Sequence, residues 1–219
     1  MEWLLKAKVY IFDFDGTIIN NEDAHLQAWV EALKIFHREA NPSLIQQYFG
    51  RNAVEIASQF IQDKKQAEEC AKIKEQIYDK LWRRMSSPVP CVEELIAKLK
   101  NSGKSIAIAS SSTYEMIVEV LQYFDLLHLF DVIVGIDNVH NPKPHPELLL
   151  SILNKLDIPP SQAIYIGDSP IDVLTACNAG VHSIYLNIYE RGRIQEKLNC
   201  SPDLAIRSLC ELLNFLKDI

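Results

Sequence analysis

Two aspartates stand two residues apart where an apolar run ends: YIFDFDGT, Tyr10 to Thr17, sets Asp13 and Asp15 around Phe14. A carboxylate driven into apolar surroundings is costly unless it is paired or metal-bound, so this spacing asks for a cation. Residues i and i+2 of an extended chain point to one side. That sends Asp13 and Asp15 toward a shared site and leaves Phe12 and Phe14 to pack on the opposite face.

Three more polar clusters follow other apolar runs. Ser110-Ser111-Ser112 ends SIAIAS, Lys143 lies in NPKPHPE after VIVGI, and Gly167-Asp168-Ser169 ends AIYIG with Asp172 one helical turn further on. Four carboxylates gathered this closely cannot all stay ionised without a cation. With Lys143 the one nearby base and no His or Cys cluster, a hard ion that takes oxygen ligands, Mg²⁺, is the expected partner. Ser110 and Ser111 offer hydroxyls and backbone N–H groups at a strand-to-helix turn, where phosphate binds well, and Lys143 adds a point charge. A carboxylate nucleophile, a metal, hydroxyls and a lysine together suit phosphoryl transfer, which depends on positioning and charge neutralisation. Plainer readings stand beside each group. Asp-Gly is a common turn pair, the serine run can cap a helix, Lys143 can be an exposed loop lysine, and Asp172 can be a first-turn helix charge.

The elements that must position these groups are legible as period and composition. VYIFDF (9–14), SIAIAS (105–110), VIVGI (132–136), AIYIG (163–167) and SIYL (183–186) read as strands apolar on both faces, as in a covered parallel sheet. Helices are expected over Pro90–Lys100, Tyr114–Tyr123, Pro146–Leu156 and Ile171–Asn178, giving a βαβ series. In such sheets ligands bind beyond the carboxyl ends of the strands, where the polar clusters fall. From Asn20 to Met85 no strand is readable; helices are expected over Glu22–His37 and Lys65–Met85. The fold class expected is α/β, a Rossmann-like parallel sheet core over 1–19 and 87–219 with an inserted all-helical cap over 20–86. Residues 188–199 read as loop and 205–217 as a terminal helix.

DFDGT at 13–17, the serine ending IAIASSS, Lys143 in NPKPHPE and GDSPID at 167–172 resemble, in order, the four motifs of the haloacid dehalogenase superfamily. The helical insert after the first motif is similar to the cap of the subfamily containing phosphoglycolate phosphatase and beta-phosphoglucomutase. The resemblance implies that Asp13 is a nucleophile forming an aspartyl-phosphate and Asp15 the general acid and base. It implies that Ser110, Ser111 and Lys143 hold the phosphoryl group, and that Mg²⁺ is bound by the Asp13 side chain, the Asp15 backbone carbonyl and Asp168. Asp172 then orients them from outside the ligand set. In the cap, HLQAW, a pattern similar to that of beta-phosphoglucomutase-like proteins, suggests His25 as a substrate contact or proton handler, the plainer reading being that His25, like Trp29, packs the cap; Arg51 and Lys74 could reach a distal anionic group of the substrate but read first as solvated surface charges, and His140 and His145 as loop residues. The implied activity is Mg²⁺-dependent hydrolysis of a small phosphorylated metabolite, phosphoglycolate-like or sugar-phosphate-like. A beta-phosphoglucomutase-like mutase is the alternative, disfavoured because Ala53 falls where mutases carry a cap arginine and Arg51 directly follows Gly50. A non-enzymatic phospho-acceptor module comes third, since such receivers lack the insert and the second aspartate.

The 219 residues, 48% hydrophobic and 23% charged, suit a soluble folded chain with a substantial core. A net charge of −7 and the lack of any basic run speak against nucleic acid as partner. No apolar span approaches the ~20 residues a membrane helix needs, so a cytoplasmic monomer or homodimer is expected. The five cysteines, widely scattered without paired spacing, read as reduced small apolar residues.

Overall fold

The computed structural model describes residues 2–188 and 200–216. A short helix α1 (Glu2–Lys6) leads into β1 (Val9–Phe12). The two-residue strand β2 (Ile19–Asn20) opens a helical segment of α2 (Glu22–Ile35), α3 (Pro42–Gln46), α4 (Ala53–Ser58) and α5 (Lys64–Met85). β3 (Ser87–Pro88) closes it by pairing antiparallel with β2. The rest alternates: α6 (Val92–Asn101), β4 (Ser105–Ala109), α7 (Tyr114–Tyr123), β5 (Val132–Val134), α8 (Glu147–Leu156), β6 (Ala163–Gly167), α9 (Pro170–Ala179), β7 (His182–Leu186), β8 (Leu204–Ile206) and α10 (Leu209–Phe215).

The main sheet runs in the order β5-β4-β1-β6-β7-β8, every pair parallel. β1 is central and buried throughout, which explains its unbroken apolar sequence. Tyr10 and Phe12 pack with Ile106, Ile164, Leu95 and Leu121 on one face; Val9 and Ile11 pack with Ala107, Tyr165, Leu149 and Ile152 on the other. From β1 the chain moves to β4 and β5 on one side and returns to β6 and β7 on the other. That reversal opens a crevice beyond the carboxyl ends of β4, β1 and β6, where such folds bind ligands.

The helical segment has a core of its own, with Trp29, Ala32 and Leu33 of α2 against Ile56 of α4 and Ala67, Cys70 and Ala71 of α5. It is tied to the sheet through β2 and β3, through the Arg83–Glu119 ion pair, and through Trp82 set edge-on to Tyr123 at 5.2 Å.

Several expectations change in detail. The first strand stops at Phe12 rather than residue 14, since the chain turns at Gly16 with φ of +78°. The third run, VIVGI, stops as a strand at Val134. Residues 204–206 form a strand beside β7 where a helix was expected; the helix begins only after Ser208, whose Oγ accepts from Glu211 N at 3.2 Å. The expected loop over 189–199 and the helix end at Lys217 lie outside the described residues. The cysteines are corrected: Cys91 bonds Cys210 and Cys177 bonds Cys200, leaving Cys70 free and buried. Cys91 and Cys210 are 119 residues apart, and it is the packing of α10 against α6 that brings them together.

Candidate active site

Asp13 follows β1 directly, its N–H donating to Ile166 O at 2.8 Å, so β6 fixes its backbone while its side chain is buried. Lys143, from the loop after β5, donates to Asp13 Oδ1 at 2.9 Å and to Asp172 Oδ1 at 2.8 Å. The lysine side chain is fully buried, 5.3 Å over the Tyr165 ring. Burial pushes the Asp13 carboxyl well up, with Asp172 and Asp168 adding to the push and Lys143 opposing it. Burial alone would lower Lys143; the two carboxylates instead hold its ammonium above the usual range. The expectation of a positioned lysine, rather than a loose loop residue, fits this burial.

Asp172 stands in the first turn of α9, and both its oxygens are engaged. Oδ1 also accepts from Tyr165 OH at 3.1 Å, and Oδ2 accepts from Ser169 N at 3.0 Å and from Ser169 Oγ. One oxygen from each of Asp13, Asp168 and Asp172 lies within 4.8 Å of the others. The donor set is all hard oxygen, and a carboxyl lifted by burial and then by like-charged neighbours is one a cation would restore to its ionised form, so these residues fit Mg²⁺. Asp172, already accepting four hydrogen bonds, suits orientation more than ligation. Gly16 is required here, because a Cβ at that position would sit 2.5 Å from Asp168 Oδ2, and its φ is positive.

Asp15 answers to a different set of partners. Asn21 Nδ2 donates to its Oδ1 at 2.6 Å, His25 Nε2 lies 3.2 Å from the same oxygen, and Ser112 Oγ donates to Oδ2 at 2.5 Å. Burial raises this carboxyl, but the His25 imidazole and the hydrogen bonds from His25, Ser112 and Asn21 outweigh it and hold it well below the usual range. His25 is placed by α2 and stacked on Tyr78 at 4.0 Å. Lys74 Nζ contacts its Nδ1 at 2.8 Å. An ammonium can only donate, so Nδ1 is the acceptor and Nε2 carries the hydrogen offered to Asp15. Burial first and Lys74 second depress the His25 pKa, which agrees with this neutral tautomer.

Lys74 is corrected from a solvated charge to a buried one, 5.0 Å over the Tyr78 ring and 5.6 Å over Trp29. Arg51 is half-exposed at the pocket wall, 3.7 Å from Glu55. Trp29 packs the helical core as expected and also lines the pocket. His140 and His145 lie in the loop before α8. Of the serines, Ser110 Oγ accepts from Ser112 N at 3.0 Å, and Ser111 Oγ donates to Gly50 O at 2.9 Å, joining the sheet edge to the helical segment. Asn21, Glu22 and Glu75 also line the pocket without having been singled out, and Ser112, named only as part of the serine run, lines it too. Lys74 left a signal: it sits in the buried face of α5 with Cys70, Ala71, Tyr78 and Leu81, a position otherwise apolar.

Comparison with known proteins bears on the family and the fold. Pyrophosphatase PpaX of Halalkalibacterium halodurans is 27% identical over 97% of this chain and 98% of its own length. A haloacid dehalogenase-like chain from Bacteroides fragilis superposes with a TM-score of 0.86 at 27% identity, over 94% of this chain and 99% of that one. CbbY of Rhodobacter sphaeroides in complex with phosphate shares the fold, with a TM-score of 0.77 at 22% identity over 94% and 96% of the two chains. The model for haloacid dehalogenase-like hydrolases matches residues 10–186, and the chain belongs to that family.

Proposed function

We propose that this chain is a Mg²⁺-dependent phosphatase that hydrolyses a small phosphomonoester through an aspartyl-phosphate on Asp13. The observation that carries the reading is the separation of two near-adjacent carboxylates into different environments, Asp13 against Lys143 and Asp15 against Asn21, His25 and Ser112. Groups so separated are the usual basis for dividing nucleophile from acid.

Asp13 attacks phosphorus as the bond to the leaving oxygen breaks, and Asp15 gives that oxygen a proton. Water then attacks the phosphoryl group, Asp15 takes its proton, the Asp13–phosphorus bond breaks, and inorganic phosphate leaves. Lys143 holds the attacking carboxylate in place and offers charge to the phosphoryl oxygens; Ser110 lines their seat. The arriving dianion raises Asp15 from its depressed resting state toward the protonated form an acid needs. A divalent cation at Asp13 and Asp168, with the Asp15 backbone carbonyl and Asp172 beside them, would supply the positive charge that keeps Asp13 ionised. The segment 20–86 serves as a cap over this chemistry.

The test is phosphate release from an aryl phosphate. Asp13→Asn is expected to lose at least about a thousandfold in kcat, and a chelator to abolish turnover that added Mg²⁺ restores. Wild-type turnover in the variant, or indifference to chelation, overturns the mechanism.

A further inference from the structure

Tyr165 lies in the middle of β6, on the face of the sheet whose other buried side chains are those of valine, isoleucine, leucine and alanine. A phenol in such company must find a partner for its hydroxyl. Tyr165 stands level with Ile11 of β1, and Ile11 with Ala107 of β4. Yet the hydroxyl donates to Ala109 O at 3.0 Å, two residues nearer the carboxyl ends of the strands. The side chain therefore leans toward the catalytic edge and spans β6, β1 and β4, the three strands that deliver Asp168, Asp13 and Ser110. The same hydroxyl lies 3.1 Å from Asp172 Oδ1, and Lys143 Nζ sits 5.3 Å from the ring centre.

Gly167 makes this reach possible. It follows Tyr165 by two residues and so faces the same side of β6. A Cβ there would lie 2.4 Å from the Asp172 carboxyl carbon, so a residue without one lets the first turn of α9 settle onto the strand, with its carboxylate within reach of the phenol. Asp172 Oδ1 then accepts from Lys143 at 2.8 Å and from Tyr165, while Lys143 also donates to Asp13 Oδ1 at 2.9 Å. A phenol has one hydrogen to give, and here it has two acceptors, Ala109 O and Asp172 Oδ1. Two donors on one carboxylate oxygen divide its charge between them. Without the phenol, all of that oxygen's pull falls on the ammonium and draws it off the nucleophile.

We infer that Tyr165 is a positioning residue of the phosphoryl-transfer centre, whose hydroxyl on Asp172 and ring beside Lys143 keep the ammonium shared with Asp13 rather than captured by Asp172. This rests on the phosphatase reading above and adds to it. As Asp13 attacks, its charge passes to the phosphoryl oxygens and the ammonium must follow. Tyr165 keeps Asp172 hydrogen-bonded while it does so, and the ring face attracts the cation from the side. A group held out of line by such a loss slows the chemical steps more than it weakens binding.

The experiment follows aryl phosphate hydrolysis by the full chain with Mg²⁺. Tyr165→Phe keeps the ring in the core and removes the hydroxyl. Its kcat is expected to fall by at least about tenfold while KM and the inhibition constant of inorganic phosphate move by less than about threefold. The melting temperature is expected to fall by only a few degrees, as for one buried hydrogen bond. Because Tyr165 acts through Asp172, the same change made in Asp172→Asn is expected to cost kcat less than about threefold more. A wild-type kcat in Tyr165→Phe overturns the inference and leaves the phosphatase reading standing. So does a fall in kcat matched by an equal rise in KM, or one that recurs undiminished in Asp172→Asn. Wild-type protein that releases no phosphate overturns the phosphatase reading and this role with it.

Discussion

Lys74 shows how one residue sets the chemistry of another. Its ammonium against His25 Nδ1 keeps the ring neutral and directs the Nε2 hydrogen to Asp15. The folded-state pKa of His25 therefore lies below its ordinary 6.5, so the unfolded chain binds the proton more readily and stability falls as pH drops through that value. Lys74→Met keeps apolar bulk between Trp29 and Tyr78 while removing the charge. The His25 pKa is expected to rise in the variant, and the acid-side loss of stability from this group to diminish. Ring titration by NMR checks the shift, and kcat/KM is expected to fall by about tenfold as Asp15 gains a charged neighbour. An unmoved His25 titration would show that the contact does not set the tautomer. The catalytic carboxylates and Lys143 were legible because each ends an apolar run and so declares its own cost. Lys74 was read as solvent-facing, although its place in an apolar stripe carried the opposite message. Asn21 and Ser112 left none: Asn21 meets Asp15 only through the turn at Gly16, and Ser112 only once β4 pairs beside β1.

At the level of elements, the helical segment meets the sheet edge through a close backbone approach. Gly50 has φ of +90°, a Cβ there would lie 2.4 Å from Ser169 Oγ, and its carbonyl accepts from Ser111. Gly50→Ala thus combines a left-handed backbone that strains alanine with a clash at the loop carrying Asp168 and Asp172, on the order of 1–3 kcal/mol for the backbone alone. The segment is expected to seat further from the sheet, lowering kcat/KM on small substrates by about tenfold or more while the melting temperature falls by only a few degrees. Full activity in Gly50→Ala would mean this approach is not needed for turnover. The strands and crossover helices were readable because strands covered on both faces are apolar throughout and each helix carries a one-sided stripe. The β2–β3 pair and β8 were not, since two and three residues are too few to show a period, and the pairing that defines them is with distant chain.

Across the whole molecule, the cysteines are where sequence spacing misleads most. Cys91 caps the start of α6, Cys210 lies in α10, and only the completed fold makes them neighbours. Cys177, in the helix that begins with the Asp172 turn, is likewise joined to Cys200 from beyond β7. Cross-links of this kind restrict the unfolded chain, the longer loop more than the shorter, by about 2–5 kcal/mol each in typical cases. Thiol titration of the denatured, unreduced protein is therefore expected to find one reactive group, Cys70, and five after reduction. Within the folded chain Cys70 itself resists alkylation at pH 8, since burial pushes its thiol up to about 11. Reduction is expected to lower the melting temperature by roughly 10 °C without removing a catalytic group, because no cysteine lines the pocket. Disulfides persist where thiol reductants are scarce. Counting thiols in protein trapped directly from the producing cell thus tests the bonds and the expected cytoplasmic setting together: one free thiol there sets the chain in an oxidising environment, and five would mean that the fold holds these pairs close but unjoined.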